Sequence, residues 1–382
     1  MYFFFMNQQY RSLFELSDKL IYLNHAAVSP WPIRTSEAVL NFAKQNAQYG
    51  SKFYLDWLQK QTELRHQIKS LINAPSSDDV ALVKNTSEAL SFVAYGLHWK
   101  NGDNIVSSRE EFPSNRIPWQ SLCHQGVEFR EADLSSNSSP ELALFDLVDQ
   151  KTRLITISSV QFSSGFRTNL QIIGEFCKKR DILFCIDAIQ SIGALEFDVQ
   201  EYQADFVMAD GHKWMLGPEG LGFFYSTPKS RDMLRLTQYG WHMLKDIHGY
   251  ENQPWEIHPT ARRFECGSPN MLGIHALSAS LEILLGISMT KIEQKVLANA
   301  DYLVKKIKAS KSLTLLSGST SPLKSGIVLF GHKQIPNKQL FLHLQKNDVM
   351  CALRAGGIRF SPHFYNSVAE LDQALAIAEQ CG

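Results

Sequence analysis

Between Asp79 and Tyr225 the chain alternates short apolar runs with amphipathic stretches. DVALVKN leads into a helical pattern from Ser87, and NIVSSRE leads, through Phe112-Pro113-Ser114-Asn115, into one over Arg116–Gln125. RLITISSV precedes a helical pattern near Asn169–Arg180. ILFCIDA follows it directly, and DFVMAD and LGFFYS continue the series. Runs apolar at successive positions are buried on both faces, and helices between them predict a mainly parallel sheet with helical crossovers. The polar stretch Ser135–Pro140 reads as a surface loop ahead of a helix at Glu141–Asp149.

After Pro269 the pattern changes to helical stretches at Gly273–Leu285 and near Lys291–Ala309, then shorter strands around SGIVLFG and GIRFS. The expectation is an α/β protein with a large domain over 21–268. A smaller α+β domain over 269–382 is joined by the N-terminal segment 1–20. Ligands of open parallel sheets bind at the carboxyl ends of the strands, and the residues considered next fall at such ends.

Composition adds little to this picture and excludes some partners. Of 382 residues, 44% are hydrophobic and 20% charged, enough apolar material for both domains. The 38 basic residues balance 38 acidic ones, so no bulk field favours nucleic acid or membrane headgroups, and neither is expected as a partner. MYFFFM at the start is too short to span a bilayer and lacks the flanks of a signal peptide. It reads as a mature N-terminus packed on the body or on a partner chain. The six cysteines form no C-x-x-C pair, and a chain of this length needs no disulfide staples. Reduced thiols in the cytoplasm are the expectation.

Three elements carry candidate chemistry. Lys213, in Asp210-Gly211-His212-Lys213-Trp214, follows the strand DFVMAD and precedes a glycine-rich segment. A lysine that forms a Schiff base must lose its charge, hence be desolvated or placed near positive charge; a lysine in a surface turn is the plainer alternative. Asp187 ends the strand ILFCID. A carboxylate there is costly unless it meets a cation, such as a pyridinium nitrogen or a basic side chain. Thr86 and Ser87 open a helix after Asn85, where hydroxyls, backbone N–H groups and the helix dipole suit a phosphate, or merely a cap.

Taken with Phe112 at an aromatic corner, Gln161 at a strand end and Gln190 three residues past Asp187, these elements resemble the class V aminotransferase family of fold-type I pyridoxal-phosphate enzymes. The resemblance runs from YLNHAAVSP at Tyr22 to GIRFSPHFYN at Gly357. It implies pyridoxal 5'-phosphate as cofactor, held as a Schiff base on Lys213, with Asp187 on the pyridine nitrogen and Phe112 stacked on the ring. It further implies Gln161 near the ring hydroxyl, and Thr86, Ser87, Gln190 and His212 at the phosphate and hydroxyl. Ser268, in RFECGSPN, matches a position that reaches the partner subunit's phosphate, which implies a homodimer with shared sites. Arg359 resembles the arginine that pairs with a substrate α-carboxylate, a match for its planar fork.

Other residues keep two readings. His25 and Asn24 line the site or pack the N-terminal loop, and Arg354 assists Arg359 or pairs outside the site. Trp214, Tyr239 and Trp241 wall a substrate pocket or pack in the core; His363 follows the Arg359 strand. The family implies an enzyme acting at Cα of an amino acid or amine. Transamination is the first expectation; lyase, hydrolase or epimerase chemistry, or a ligand sensor without catalysis, are the alternatives. Cysteine desulfurase chemistry is expected to be absent. The segment between Arg354 and Arg359 holds no cysteine, Cys351 reads as a buried apolar residue, and Cys266 has no route to a substrate. Phe112 also replaces the titratable histidine of that branch.

Overall fold

The computed structural model describes residues 10–134, 140–246, 249, 251, 254–317 and 324–381. MYFFFM and most of the Ser135–Pro140 stretch lie outside the described residues. After β1 (Ile21–Tyr22) come α1 (Ile33–Tyr49) and α2 (Tyr54–Leu71). Then follow β2 (Val80–Val83), α3 (Thr86–Gly96), β3 (Asn104–Ser108), β4 (Glu128–Ala132), β5 (Thr152–Ser158), α4 (Leu170–Lys179), β6 (Leu183–Asp187), β7 (Phe206–Asp210) and β8 (Gly222–Ser226). These strands form one seven-stranded sheet in the order β2-β8-β7-β6-β5-β3-β4. Only β8 runs against its neighbours; the other pairings are parallel, as the both-faced apolar runs predict.

Alternate residues of each strand feed two cores, one on each face. Along β7, Phe206 and Met208 pack with Leu90, Val93 and Phe224, while Val207 and Ala209 pack with Ile157, Ile186 and Leu281. Side chains that alternate across a pleat can do this only where both faces are covered.

The chain continues through α5 (Met271–Ile287) and α6 (Met289–Ala309) to β9 (Leu313–Leu315), β10 (Val328–His332), α7 (Asn337–Lys346), β11 (Val349–Met350), β12 (Ala352–Arg354), β13 (Gly357–Phe360) and α8 (Val368–Glu379). A four-stranded antiparallel sheet, β12-β13-β10-β9, carries a third core. Ile21 and Leu23 join that core, and β1 pairs in parallel with β11. The change of core does not coincide with the change of pattern at Pro269. Helix α5 packs with α1 and α2 on the large sheet. Helix α6 gives Ile292 and Val296 to that core, and Ala300, Leu303 and Ile307 to the third. No single described helix is long and apolar enough to cross a membrane; α5 and α6 pass such a test only together, and they meet at an 85° bend.

Two local expectations fail for identifiable reasons. The segment 116–125 is a broken series of short turns rather than one helix. Pro118 sits in its first turn, where no backbone donor is needed, and the four-residue helix Ile117–Gln120 passes into 3-10 turns that end at the left-handed Gly126. Strand β4 was not anticipated: it is an edge strand whose Glu128, Arg130 and Glu131 mask its alternation.

Candidate active site

The carboxyl ends of β2, β5, β6 and β7 converge on a cavity of about 330 Å³. Its wall includes Thr86, Ser87, Phe112, Asp187, Gln190, His212, Lys213, Arg354 and Arg359. Residues scattered over most of the chain are thus brought together by the register of a parallel sheet. Ser158 lies opposite Asp187, and Asp187 opposite Met208 on β7, two residues before Asp210.

Lys213 leaves β7 through Asp210-Gly211-His212. Gly193 closes on this loop from behind: its φ of +97° is left-handed, and a Cβ there would run into the Trp214 carbonyl. Burial lowers the Lys213 ammonium pKa, and the neighbouring Arg359 charge works in the same direction, while Asp187 opposes them. The Lys213 Nζ lies 5.6 Å from the Phe112 ring centroid. Asp187 is buried and accepts one backbone hydrogen bond from Ile189 (3.0 Å); burial pushes its carboxyl up, and nearby Glu111 adds to this. A cation beside it would reverse that shift.

Arg359 is 2% exposed, and Nη1 donates to the Phe162 carbonyl at 2.6 Å. Its Nε is buried with no partner, and no carboxylate of the described residues lies within ion-pair distance. Burial, with Arg354 beside it, pushes the guanidinium down to about 9. At the other end of the cavity Asn85 caps α3 by accepting from the Glu88 N–H, and Ser87 Oγ donates to Ser114 Oγ. Thr86 Oγ1 is buried with no partner. His212 Nδ1 and Asp210 Oδ1 lie 3.2 Å apart, an ion-pair separation without hydrogen-bond alignment.

These groups fit pyridoxal phosphate. A helix N-terminus with an orphaned hydroxyl suits the phosphate, a buried carboxylate suits the ring nitrogen, an aromatic face suits the ring, and a desolvated amine suits the aldehyde.

Several expected residues stand elsewhere. His25 is buried behind the wall, with Nδ1 at 2.8 Å from the Ser361 carbonyl and Nε2 at 2.7 Å from the Tyr365 hydroxyl. Gln190 reaches the wall, but its amide is engaged: Nε2 donates to the Ala26 carbonyl and Oε1 accepts from the Trp214 indole. Gln161 lies beneath the cavity, bonded to Glu111. Trp214 and His363 are core residues, joined where His363 Nε2 meets the Trp214 carbonyl. Tyr239, Trp241 and Ser268 are exposed and outside the wall. Cys351 is buried, its thiol pushed up to about 12; Cys266 donates to Gln238 at 3.4 Å.

Sequence reasoning missed Phe162, whose ring meets Phe112 edge-on at 5.1 Å and whose carbonyl holds Arg359. It also missed Glu111, which reads in the sequence as one of two adjacent acids on a solvated turn.

Comparison with known proteins settles the family and corrects the expected reaction. The family model for aminotransferase class V matches residues 21–373. A protein of Methanothermobacter thermautotrophicus named "probable cysteine desulfurase" is 33% identical over 280 residues, covering 72% of this chain and 69% of the relative. One of Pyrococcus abyssi with the same name is 29% identical, covering 96% and 95%. The crystal structure of a cysteine desulfurase from Escherichia coli superposes with a TM-score of 0.87 at 20% identity, covering 98% of each chain.

The expectation of transamination with desulfurase chemistry excluded is therefore overturned, since the relatives carry the excluded name. The exclusion rested on one missing thiol. Between β12 and β13 lies a turn of only Ala355 and Gly356, both at positive φ, and it holds no cysteine. With its mainly parallel sheet, its smaller antiparallel domain and a cavity suited to pyridoxal phosphate, the chain belongs to the class V aminotransferase family of fold-type I pyridoxal-phosphate enzymes.

Proposed function

We propose that this enzyme cleaves the carbon–sulfur bond of cysteine or a cysteine-derived amino acid. The observation that carries an amino-acid substrate is Arg359: a buried guanidinium without a carboxylate partner, in one cavity with Lys213 and Asp187. Choice of sulfur on the substrate rests on the similarity to proteins named cysteine desulfurases. When bound, pyridoxal phosphate supplies an electron sink conjugated to the substrate Cα.

The protein's groups do the rest. Arg359 binds the α-carboxylate bidentately once it releases the Phe162 carbonyl, and so orients Cα over the ring. Lys213, whose ammonium burial pushes down to about 8, takes the Cα proton in its neutral form and passes it to the departing sulfur. Asp187 keeps the ring nitrogen protonated. Phe112 would pack on the cofactor ring, with Phe162 against its edge, and Thr86, Ser87 and His212 would hold the phosphate. With no thiol on the β12–β13 turn, the sulfur departs with the electron pair of its bond to Cβ, as sulfide from cysteine or as a persulfide from a disulfide.

A homodimer is part of this reading. Ser268 is exposed and outside its own cavity, and Tyr239, Trp241 and Trp255 in the chain before it are exposed aromatics that a second copy would cover. The cytoplasm suits six cysteines with no disulfide among them.

The test is incubation of the cofactor-loaded protein with L-cysteine and with L-cystine, measuring sulfide, persulfide, pyruvate and alanine. Sulfur release that Arg359→Ala abolishes is the expected result. No sulfur product from either substrate, with cofactor bound throughout, would reject the proposal.

A further inference from the structure

Glu111 immediately precedes the ring that faces the cavity, yet it is 2% exposed and lies beneath the site. Its two oxygens accept four hydrogen bonds. Oε1 accepts from the Ser158 N–H and from Gln161 Nε2, both at 2.7 Å. Oε2 accepts from Asn115 Nδ2 at 2.8 Å and from the Ser158 hydroxyl.

Two of these donors are unambiguous. The Ser158 N–H is backbone. The Asn115 amide is fixed by its other end, whose Oδ1 accepts from the Trp119 indole (2.9 Å) and the Thr156 hydroxyl (2.7 Å). An indole N–H only donates, so Asn115 must turn its NH2 towards Glu111. Burial pushes the Glu111 carboxyl up, while four surrounding donors, two of them able only to donate, favour its ionised form.

In its ionised form the Glu111 carboxylate only accepts, and that decides the orientation of Gln161. Reversing that amide would set its carbonyl oxygen against a carboxylate oxygen, which burial makes costly. Its NH2 therefore faces Glu111, and its carbonyl Oε1 is left buried with no partner among the described residues.

We infer that Glu111 is a positioning residue that locks Gln161 with its carbonyl oxygen as a hydrogen-bond acceptor for the cofactor's ring hydroxyl. The inference rests on the reading, implied by the family resemblance, that Gln161 meets that hydroxyl: Gln161 is buried just outside the cavity lining, with its Oε1 open. An acceptor stabilises the protonated hydroxyl, whereas an NH2 in its place would stabilise the deprotonated one. The pair thus sets the protonation state of the bound cofactor from below, using a residue that never touches it.

The test is the absorbance of the cofactor-loaded protein, titrated with pH in wild type, Glu111→Gln and Gln161→Met. An amide at position 111 lets Gln161 reverse and removes a negative charge. The midpoint of the cofactor's absorbance change should fall by about one pH unit, tenfold in proton affinity. Gln161→Met removes the acceptor and should shift the midpoint in the same direction. A Gln161→Met midpoint equal to wild type would defeat the reading that Gln161 meets the cofactor. A shift in Gln161→Met with none in Glu111→Gln would leave that reading standing and overturn the role given to Glu111. If Glu111→Gln does not fold, Glu111→Asp, which keeps the charge but withdraws it from Gln161, takes its place: a lowered midpoint supports the lock and an unmoved one overturns it.

Discussion

Arg65 and Arg359 are both buried arginines, 7% and 2% exposed. Arg65 donates through both terminal nitrogens to Glu265, and also to the Val80 carbonyl at 3.0 Å. Glu265 in turn accepts from the Leu82 N–H (2.8 Å) and from Gln61 (3.2 Å). Arg359 has one backbone carbonyl and a partnerless Nε. The same contrast separates two carboxylates near the ends of β5 and β6: Glu111 accepts four bonds, Asp187 one. A fold can close the hydrogen bonding of its buried ions, as it does here for Arg65, Glu265 and Glu111. Where it leaves an ion open inside a cavity, desolvation has been incurred without compensation, and a ligand of opposite charge is what offsets it.

The strongest attempt to break this contrast removes the reacting group. Lys213→Ala should cut turnover by about 10²–10⁴-fold or more, the range for loss of a positioned acid–base group, with unfolding stability little changed. Borohydride, which fixes the cofactor to the wild-type chain, should then leave no adduct on the Lys213 peptide. A closed pair should behave in the opposite way. Glu265→Ala strands the Arg65 charge and should cost about 3–5 kcal/mol in urea unfolding, without altering substrate preference in the fraction that folds.

Arg359→Ala sharpens the distinction, because its partner is absent from the free protein. Stability should hold or rise, while affinity for the amino acid falls by about 2–5 kcal/mol, a factor of tens to thousands. Cofactor retention should be nearly unchanged. A loss of stability as large as that of Glu265→Ala would show that Arg359 is structural.

The smallest effect concerns pH. His363 is buried, donating to the Trp214 carbonyl and accepting from the Phe364 N–H, and burial lowers it to about 4. The unfolded chain, with an ordinary histidine pKa near 6.5, binds the proton first. Stability should therefore be constant above about pH 6.5 and fall between there and pH 4, by up to about 3 kcal/mol. His25, also pushed down by burial, acts with the same sign. His363→Gln should flatten this limb of a pH series of thermal melts; an unchanged limb would place the acid sensitivity elsewhere.

Much of the fold was legible because parallel strands are apolar at every position. ILFCIDA and DFVMAD announce β6 and β7, and Asp187 and Lys213 follow from their ends. Strand β4 was hidden because an edge strand tolerates charge. Site residues on the cavity wall were legible where a motif carries them, as with Thr86 and Phe112. Glu111 was not, because nothing local distinguishes it from Glu110; only the crossing of β5 beneath it supplies Ser158 and Gln161. Gln190 and His25 illustrate the converse. Each is a polar residue in a motif, and the fold uses its hydrogen bonds to hold the wall rather than to face the cavity.

The most direct measurement is a crystal structure of the Lys213→Ala variant loaded with pyridoxal phosphate and L-cysteine. The account predicts the α-carboxylate on Arg359, with the guanidinium released from the Phe162 carbonyl and the ring nitrogen against Asp187. An Arg359 still bonded to Phe162, with the substrate carboxylate held by other groups, would contradict it.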